Sequence, residues 1–314
     1  MAAPRWLPSP WKTAPAPTPP GNAGRHKHIP ARRRNRACGP APQSQSPVHT
    51  VPACASAAGH TVIGTVRDET ARAAFGASHA NAHGYLLDVT DTERIGKVVA
   101  QAEARQGPVD VLVNNAGYGH EGVMEESPLE QMRRQFEVNV FGAAAMMQAF
   151  LPLFRTRRRG HIINITSMGG FITMPGIAYY AGSKFALEGI SETVGKEVRQ
   201  FGVHVTAVAP GSFRTDWAGR SMVRSARSIA DYDALFDPVR ATRAARSGKQ
   251  PGDPAKAAQA ILTLAEAAEP PAHLLLGSDA LGLVRAKLAQ MEQDINKWET
   301  LSRSTDSASN EAGR

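Results

Sequence analysis

From residue 61 onward, short apolar runs alternate with longer segments of helical period. The β-branched run TVIGTVR at 61–67 reads as a strand. So do Leu86–Val89, VDVLV at 109–113, HIINIT at 161–166, VHVTAV at 203–208 and HLLLG at 273–277. The segments between them carry helix boundaries. Thr90 and Glu93 form a capping box, and Gly107-Pro108 ends the helix it opens. Ser127, Pro128 and Glu130 supply a cap, a first-turn proline and a capping-box acid. The helix they begin runs to about Phe154, and its apolar positions, among them Phe136, Phe141, Met147 and Leu151, cover more than one face. A further helix carries Tyr180 and ends near Gly202, Asp253-Pro254 opens an alanine-rich one, and the last spans about 280–301. Strands alternating with helices predict a doubly wound α/β fold, a parallel sheet covered on both faces. The interval 212–252 has no clean period and many basic residues. It follows a strand directly, and a loop this long reads as a mobile substrate lid.

Composition divides the chain. Its 314 residues carry a net charge of +8, but residues 1–60 hold eight Lys/Arg and no Asp or Glu, so the remainder is neutral. The basic balance therefore describes a tail and predicts no nucleic-acid partner. The same stretch holds 12 of the 22 prolines and both cysteines, Cys38 and Cys54, which support neither a disulfide framework nor a metal site. No run of about eighteen apolar residues occurs and no apolar leader core opens the chain. A cytoplasmic protein without a membrane span is the expectation.

The chemistry is concentrated in YAGSK, where Tyr180 and Lys184 stand four apart, thirteen residues beyond Ser167. On a helix that spacing sets both side chains on one face. A cation held ~5 Å from a phenol, at an effective dielectric of ~20, favours phenolate by ~3 kcal/mol, or ~2 pKa units. A tyrosine so shifted can act as a general acid or base near neutral pH. Ser167 closes a strand, at the sheet edge where ligands bind in such folds, and its hydroxyl can hold a reacting oxygen. Each residue alone has an ordinary reading as packing, surface or turn.

The neighbours make the set specific. VDVLVNNAG ends in Asn114-Asn115-Ala116-Gly117, FEVNVFG places Asn139 on the long helix, and VHVTAVAPG ends in Pro210-Gly211, followed by Ser212 to Thr215. From about Ala58 to about Arg303 the chain resembles the short-chain dehydrogenase/reductase family. The resemblance implies a Rossmann-type fold and an NAD(P)-dependent oxidoreductase. It assigns Tyr180 as acid/base, Lys184 as the residue that lowers its pKa and holds the nicotinamide ribose, Ser167 as the substrate-orienting hydroxyl, and Asn139 as the holder of a relay water. It places Asp88 at the adenine, with a helix-start acid beside the Thr90 cap as the alternative, and Val89, Asn114, Ala116, Gly117, Pro210, Gly211 and Thr215 along the cofactor. Gly169, Phe171, Met174, Tyr179 and Trp217 surround the substrate, implying a small apolar ketone, aldehyde or alcohol. Arg67, at the end of its strand, suits a 2′-phosphate and so points to NADP, with NAD possible beside Asp68. Pairing of the long helix with the Tyr180 helix implies a homodimer or homotetramer.

One part of the family pattern is missing. A first strand and a TGxxxGxG turn should precede residue 58, but RRRNRACGPAPQSQSPVHTVPACASA stands there. Strand 1 is central in such a sheet, and Val48–Val51, cut short by Pro52, is the single candidate to fill it. Residues 1–57 thus read as a basic Pro/Arg/Ala-rich segment, 58–302 as the catalytic domain and 303–314 as a disordered tail. The upstream segment is either disordered or the product of a frameshift over about residues 1–54. Two functional readings stay open: an active oxidoreductase, or an impaired scaffold or truncated product unable to bind the dinucleotide.

Overall fold

A computed structural model describes residues 47–215 and 221–307, with side chains from Thr50 onward. The strands in chain order are β1 (Val62–Val66), β2 (Ala82–Leu86), β3 (Val111–Asn114), β4 (Gly119–Glu121), β5 (Gly160–Ile165), β6 (Val203–Pro210), β7 (Met222–Arg224) and β8 (His273–Leu276). The helices are α1 (Pro47–Ala57), α2 (Glu69–Ser78), α3 (Thr92–Gln106), α4 (Leu129–Phe136), α5 (Ala143–Arg157), α6 (Ala178–Val198), α7 (Asp233–Arg246), α8 (Pro254–Ala265) and α9 (Ser278–Arg303).

Every strand pair is parallel, and the main sheet runs β3-β5-β6-β8. Side chains alternate across it, as the period of two requires. Leu112 and Ile162 face one layer, where Val98 and Val99 of α3 and Met147, Phe150 and Phe154 of α5 pack. Val111, Val113, Ile163 and Val208 face the other, against Val51 of α1 and Ile261 and Leu264 of α8. Helices on both faces of a parallel sheet make this a Rossmann-type α/β fold. The pair β1-β2 stands apart: among the described residues no strand hydrogen-bonds β1 to β3. The break falls where the sequence lacks its first strand.

Several local readings are corrected. Residues 47–57 are helical, so Val48–Val51 does not fill the sheet, and Pro52 sits within α1 at the loss of one backbone hydrogen bond. The second strand is 82–86, ending before Asp88. Thr90 does not cap α3; its N–H and hydroxyl both turn back to Asp88 Oδ1, at 2.9 and 2.8 Å. Ser127 donates to the Val123 carbonyl at 2.7 Å, leaving Pro128 at the cap position of α4. Asx and Ser side chains satisfy local backbone groups in more than one geometry, so a capping-box pattern does not select one. Helix α2, opened by Asp68, whose carboxylate accepts from the Ala71 N–H at 2.7 Å, is not among the elements expected from the sequence. The lid interval is largely structured: it contains β7, which pairs with β4, and α7. Arg227 anchors it by contacting Glu126 at 2.9 Å, Asp237 at 2.7 Å and Asp233. The helical run 129–157 is long and apolar enough to cross a membrane by composition. Met146, Met147, Phe150 and Phe154 of that run pack into the core.

Phe154 is fully buried, and a Cβ at Gly160, whose φ is +155°, would overlap its ring. Phe154→Ala should lower unfolding free energy by about 3–5 kcal/mol. A urea midpoint within error of the wild type would contradict that packing.

Candidate active site

The C-terminal ends of β3, β5 and β6 open into a cavity of about 870 Å³. Ser167 stands just beyond β5 with extended backbone, and its Oγ accepts from the Gly169 N–H at 3.0 Å, opening a 3-10 turn over 168–170. Tyr180 and Lys184 project from the first turns of α6, and all three residues line the cavity. A Cβ at Gly169 would stand 3.4 Å from Ser167 Oγ and 3.3 Å from Tyr180 Cε1. Gly169 thus packs against both the serine and the tyrosine.

Lys184 is 5% exposed. Its Nζ lies 5.9 Å from the Tyr180 ring centre and donates to the Ile165 carbonyl at 2.9 Å. An ammonium has three donors, so two remain for a ligand in the cavity. Burial pushes the Lys184 pKa down to about 8, with the Glu188 carboxylate acting the other way. Glu188, one turn on, accepts from Thr166 Oγ1 at 2.5 Å and lies 2.7 Å from His273 Nδ1. Burial also raises the Glu188 pKa.

Asn139 lies in a π-helical turn, residues 137–142, that joins α4 to α5. Its Oδ1 accepts from the Tyr118 N–H at 3.0 Å, and its Nδ2 donates to the Tyr118 carbonyl at 3.1 Å and to Ser183 Oγ at 3.0 Å. The widened turn places a fully buried amide where it clamps the loop after β3 to the Tyr180 helix. Asn139 supports the wall from behind. Gly117 is the point of contact: a Cβ there would stand 3.1 Å from Asn139 Oδ1 and 3.6 Å from Lys184 Nζ.

The cavity brings together Ser167, Gly169, Met174, Tyr180, Lys184, Gly117, Pro210, Gly211 and Thr215 from the residues expected. Others fall elsewhere. Asn114 does not line it; its amide donates to Asn164 Oδ1 at 2.8 Å and to the Ala143 carbonyl at 3.3 Å, and Asn115 takes the lining position. The period of two carries the reason, since Asn114 shares the face of Leu112. Phe171 packs edge-on against His273, and the Tyr179 hydroxyl donates to the Ser127 carbonyl at 2.6 Å. Ala116, Val89, Asp88 and Arg67 are also off the wall. Val89 packs beneath Gly142, and Asp88 spends Oδ1 on Thr90, which holds its carboxyl below the ordinary range. Trp217 lies outside the described residues. Sequence reasoning missed Tyr118, Met168, Ile177 and Met222, all on the wall. It also missed Glu121, which meets Arg224, Arg240 and Arg243 there.

A tyrosine, a serine and a buried lysine thus line one cavity at the strand ends of a Rossmann-type fold. Comparison with known proteins shows the family. The short chain dehydrogenase family profile matches residues 49–224. An oxidoreductase of Botryotinia fuckeliana is 34% identical over 217 residues, 69% of this chain and 78% of its own. The 3-ketodihydrosphingosine reductase of Bacteroides thetaiotaomicron is 34% identical over 221 residues, 70% of this chain and 79% of its own. The crystal structure of a short-chain dehydrogenase from Streptomyces avermitilis superposes with TM-score 0.77 at 39% identity, covering 83% of this chain and 95% of that one. The chain belongs to the short-chain dehydrogenase family.

The depressed Lys184 pKa has a testable sign. With the folded pKa at about 8 and the unfolded one near 10.4, the unfolded state binds more protons between those values. Stability from this group is therefore reduced below pH 8 and recovers as pH rises toward 10. Replacing Lys184 by Met should remove that rising component from a plot of urea midpoint against pH. Identical slopes for the two proteins between pH 8 and 10 would count against a buried, shifted lysine.

Proposed function

We propose that the protein is an NADP-preferring oxidoreductase that interconverts an apolar ketone or aldehyde with its alcohol, using Tyr180 as acid/base. The observation that carries the reading is the convergence of Ser167, Tyr180 and Lys184 on one cavity wall. The residues present fit the nicotinamide end of a dinucleotide. Lys184 Nζ has two uncommitted donors for ribose hydroxyls, and Gly117, Pro210, Gly211 and Thr215 form the adjoining wall. A nicotinamide dinucleotide, when bound, supplies or accepts the hydride. Tyr180 gives its phenolic proton to the carbonyl oxygen in reduction, or removes the alcohol proton in oxidation. The Ser167 hydroxyl donates to that same oxygen while its Oγ stays oriented by the Gly169 N–H. The Lys184 cation stabilises the phenolate between turnovers, and Asn139 holds the supporting loop from behind the wall, where its engaged amide speaks against the expected relay-water role. Met168, Met174, Ile177 and Met222 make the substrate end apolar. Relatives named 3-ketodihydrosphingosine reductase and, at 32% identity, human retinol dehydrogenase 8 support a hydrophobic substrate.

Tyr180→Phe removes one oxygen and one proton. It should cut ketone reduction at least ~100-fold while leaving cofactor affinity close to wild type. A variant keeping a tenth of wild-type turnover would remove Tyr180 from the proton-transfer role.

The NADP preference rests on Arg67, exposed at the end of β1. A 2′-phosphate there gains a charge-assisted pair that NAD does not offer. Calorimetric titration should show tighter NADPH than NADH binding, with Arg67→Asp erasing the difference. Binding of neither dinucleotide to the full chain would favour the impaired-scaffold reading.

Phe141 in the π-helical turn and Phe185 on α6 are 51% and 42% exposed. Their helices are the two that the family resemblance pairs between subunits. A dimer or tetramer mass by light scattering at micromolar concentration is expected, and a monomer would contradict it.

A further inference from the structure

We infer that the substrate carries an oxyanionic head group, a carboxylate or phosphate, held at the cavity mouth by Arg243, Arg246 and Lys249. This deepens the reading above: it rests on that reading for the position of the reacting carbonyl, and it stands on separate residues for the acid. The cavity that begins at Ser167 and Tyr180 extends to the C-terminal half of α7 and the turn after it. Arg240, Arg243 and Arg246 recur there every third residue and so share a side of the helix, and all three line the cavity with Lys249.

The charge balance is uneven. Glu121, 4% exposed, is the acid at this end of the cavity. Arg243 meets its Oε2 at 3.0 Å, and Arg240 and Arg224 meet its Oε1 at 3.3 and 3.4 Å. Among the described residues Arg240 and Arg243 thus share one carboxylate, which cannot neutralise both. Arg243 also donates to the Pro175 carbonyl at 2.9 Å, which orients its planar fork. Arg246 and Lys249 form no ion pair among the described residues and add two more cations to the same wall. Asp279, the other acid among the described residues of the cavity wall, is engaged by the Ser212 N–H at 2.7 Å, beside Gly211 on the cofactor side. An excess of fixed positive charge at the open end of an otherwise apolar cavity concentrates and orients anions. The fork geometry of arginine suits a carboxylate or phosphate. An amphiphile fits both ends, with its carbonyl at Tyr180, its chain along Met174 and Met222, and its acid at α7.

The test reads binding without turnover. Octanoate, octyl phosphate and neutral octanol are titrated calorimetrically into the full chain and into Arg246→Gln/Lys249→Gln, which breaks no ion pair among the described residues. Either acid should bind at least about ten-fold tighter than octanol, and the tighter of the two names the head group. The double variant should lose most of that advantage and leave octanol affinity unchanged. Adding Arg243→Gln should abolish what remains; if that triple variant does not fold, the double variant still decides. Equal affinity for acid and alcohol, or an advantage that survives the double variant intact, would overturn the inference. Acid binding without any ketone reduction would count against the reductase reading alone. Reduction of a neutral ketone with no preference for the matching oxo acid would count against the anionic head group alone.

Discussion

The burial of one ammonium group organises this site. Lys184 is held 5% exposed one turn beyond Tyr180, and desolvation takes its pKa to about 8. A buried cation needs partners, and the structure provides them in layers. The Ile165 carbonyl accepts directly from Nζ. Glu188 supplies negative charge from the next turn, itself fixed by Thr166 and His273. Because these partners sit on β5, on β8 and just past β5, the lysine position depends on the sheet register. The depressed pKa and the proximity of the tyrosine are consequences of the same placement.

The parallel register explains why the other groups arrive together. Asn114 of β3 is aligned with Asn164 of β5, and their side chains hydrogen-bond across the two strands. That pair ends the ladder just before the chain turns into the Asn115–Gly117 loop and the Ser167 turn. Asn139 stands in the layer that also holds α5 and α6, at a point where the helix widens to a π turn. Its amide ties the Tyr118 backbone to Ser183 of α6.

The segment after β6 shows how electrostatics substitutes for periodicity. Few of its described residues are buried, and Phe236 is the one buried residue of α7. Arg227 draws together Glu126, Asp233 and Asp237, while Glu121 draws in Arg224, Arg240 and Arg243. Two charge centres thus fasten this wall of the cavity to β4 and to the turn before α4.

What the sequence by itself determined is whatever depends on local spacing. Alternation of apolar runs with helical periods defined the parallel α/β fold. The four-residue step from Tyr180 to Lys184 defined their common face, and the end of a buried strand positioned Ser167. These follow from the fixed geometry of strands and helices. Tertiary structure decided the rest, because it depends on groups far apart in the chain. Which of Asn114 and Asn115 faces the cavity depends on which layer Leu112 packs against. Tyr179 is drawn to the Ser127 carbonyl 52 residues away, and Phe171 to a histidine on β8. Residues 47–57 became a helix because Val51 packs against the same core as α8, which no local pattern records. The order within 212–252 comes from long-range ion pairs, and a charge's partner cannot be read from its own neighbours.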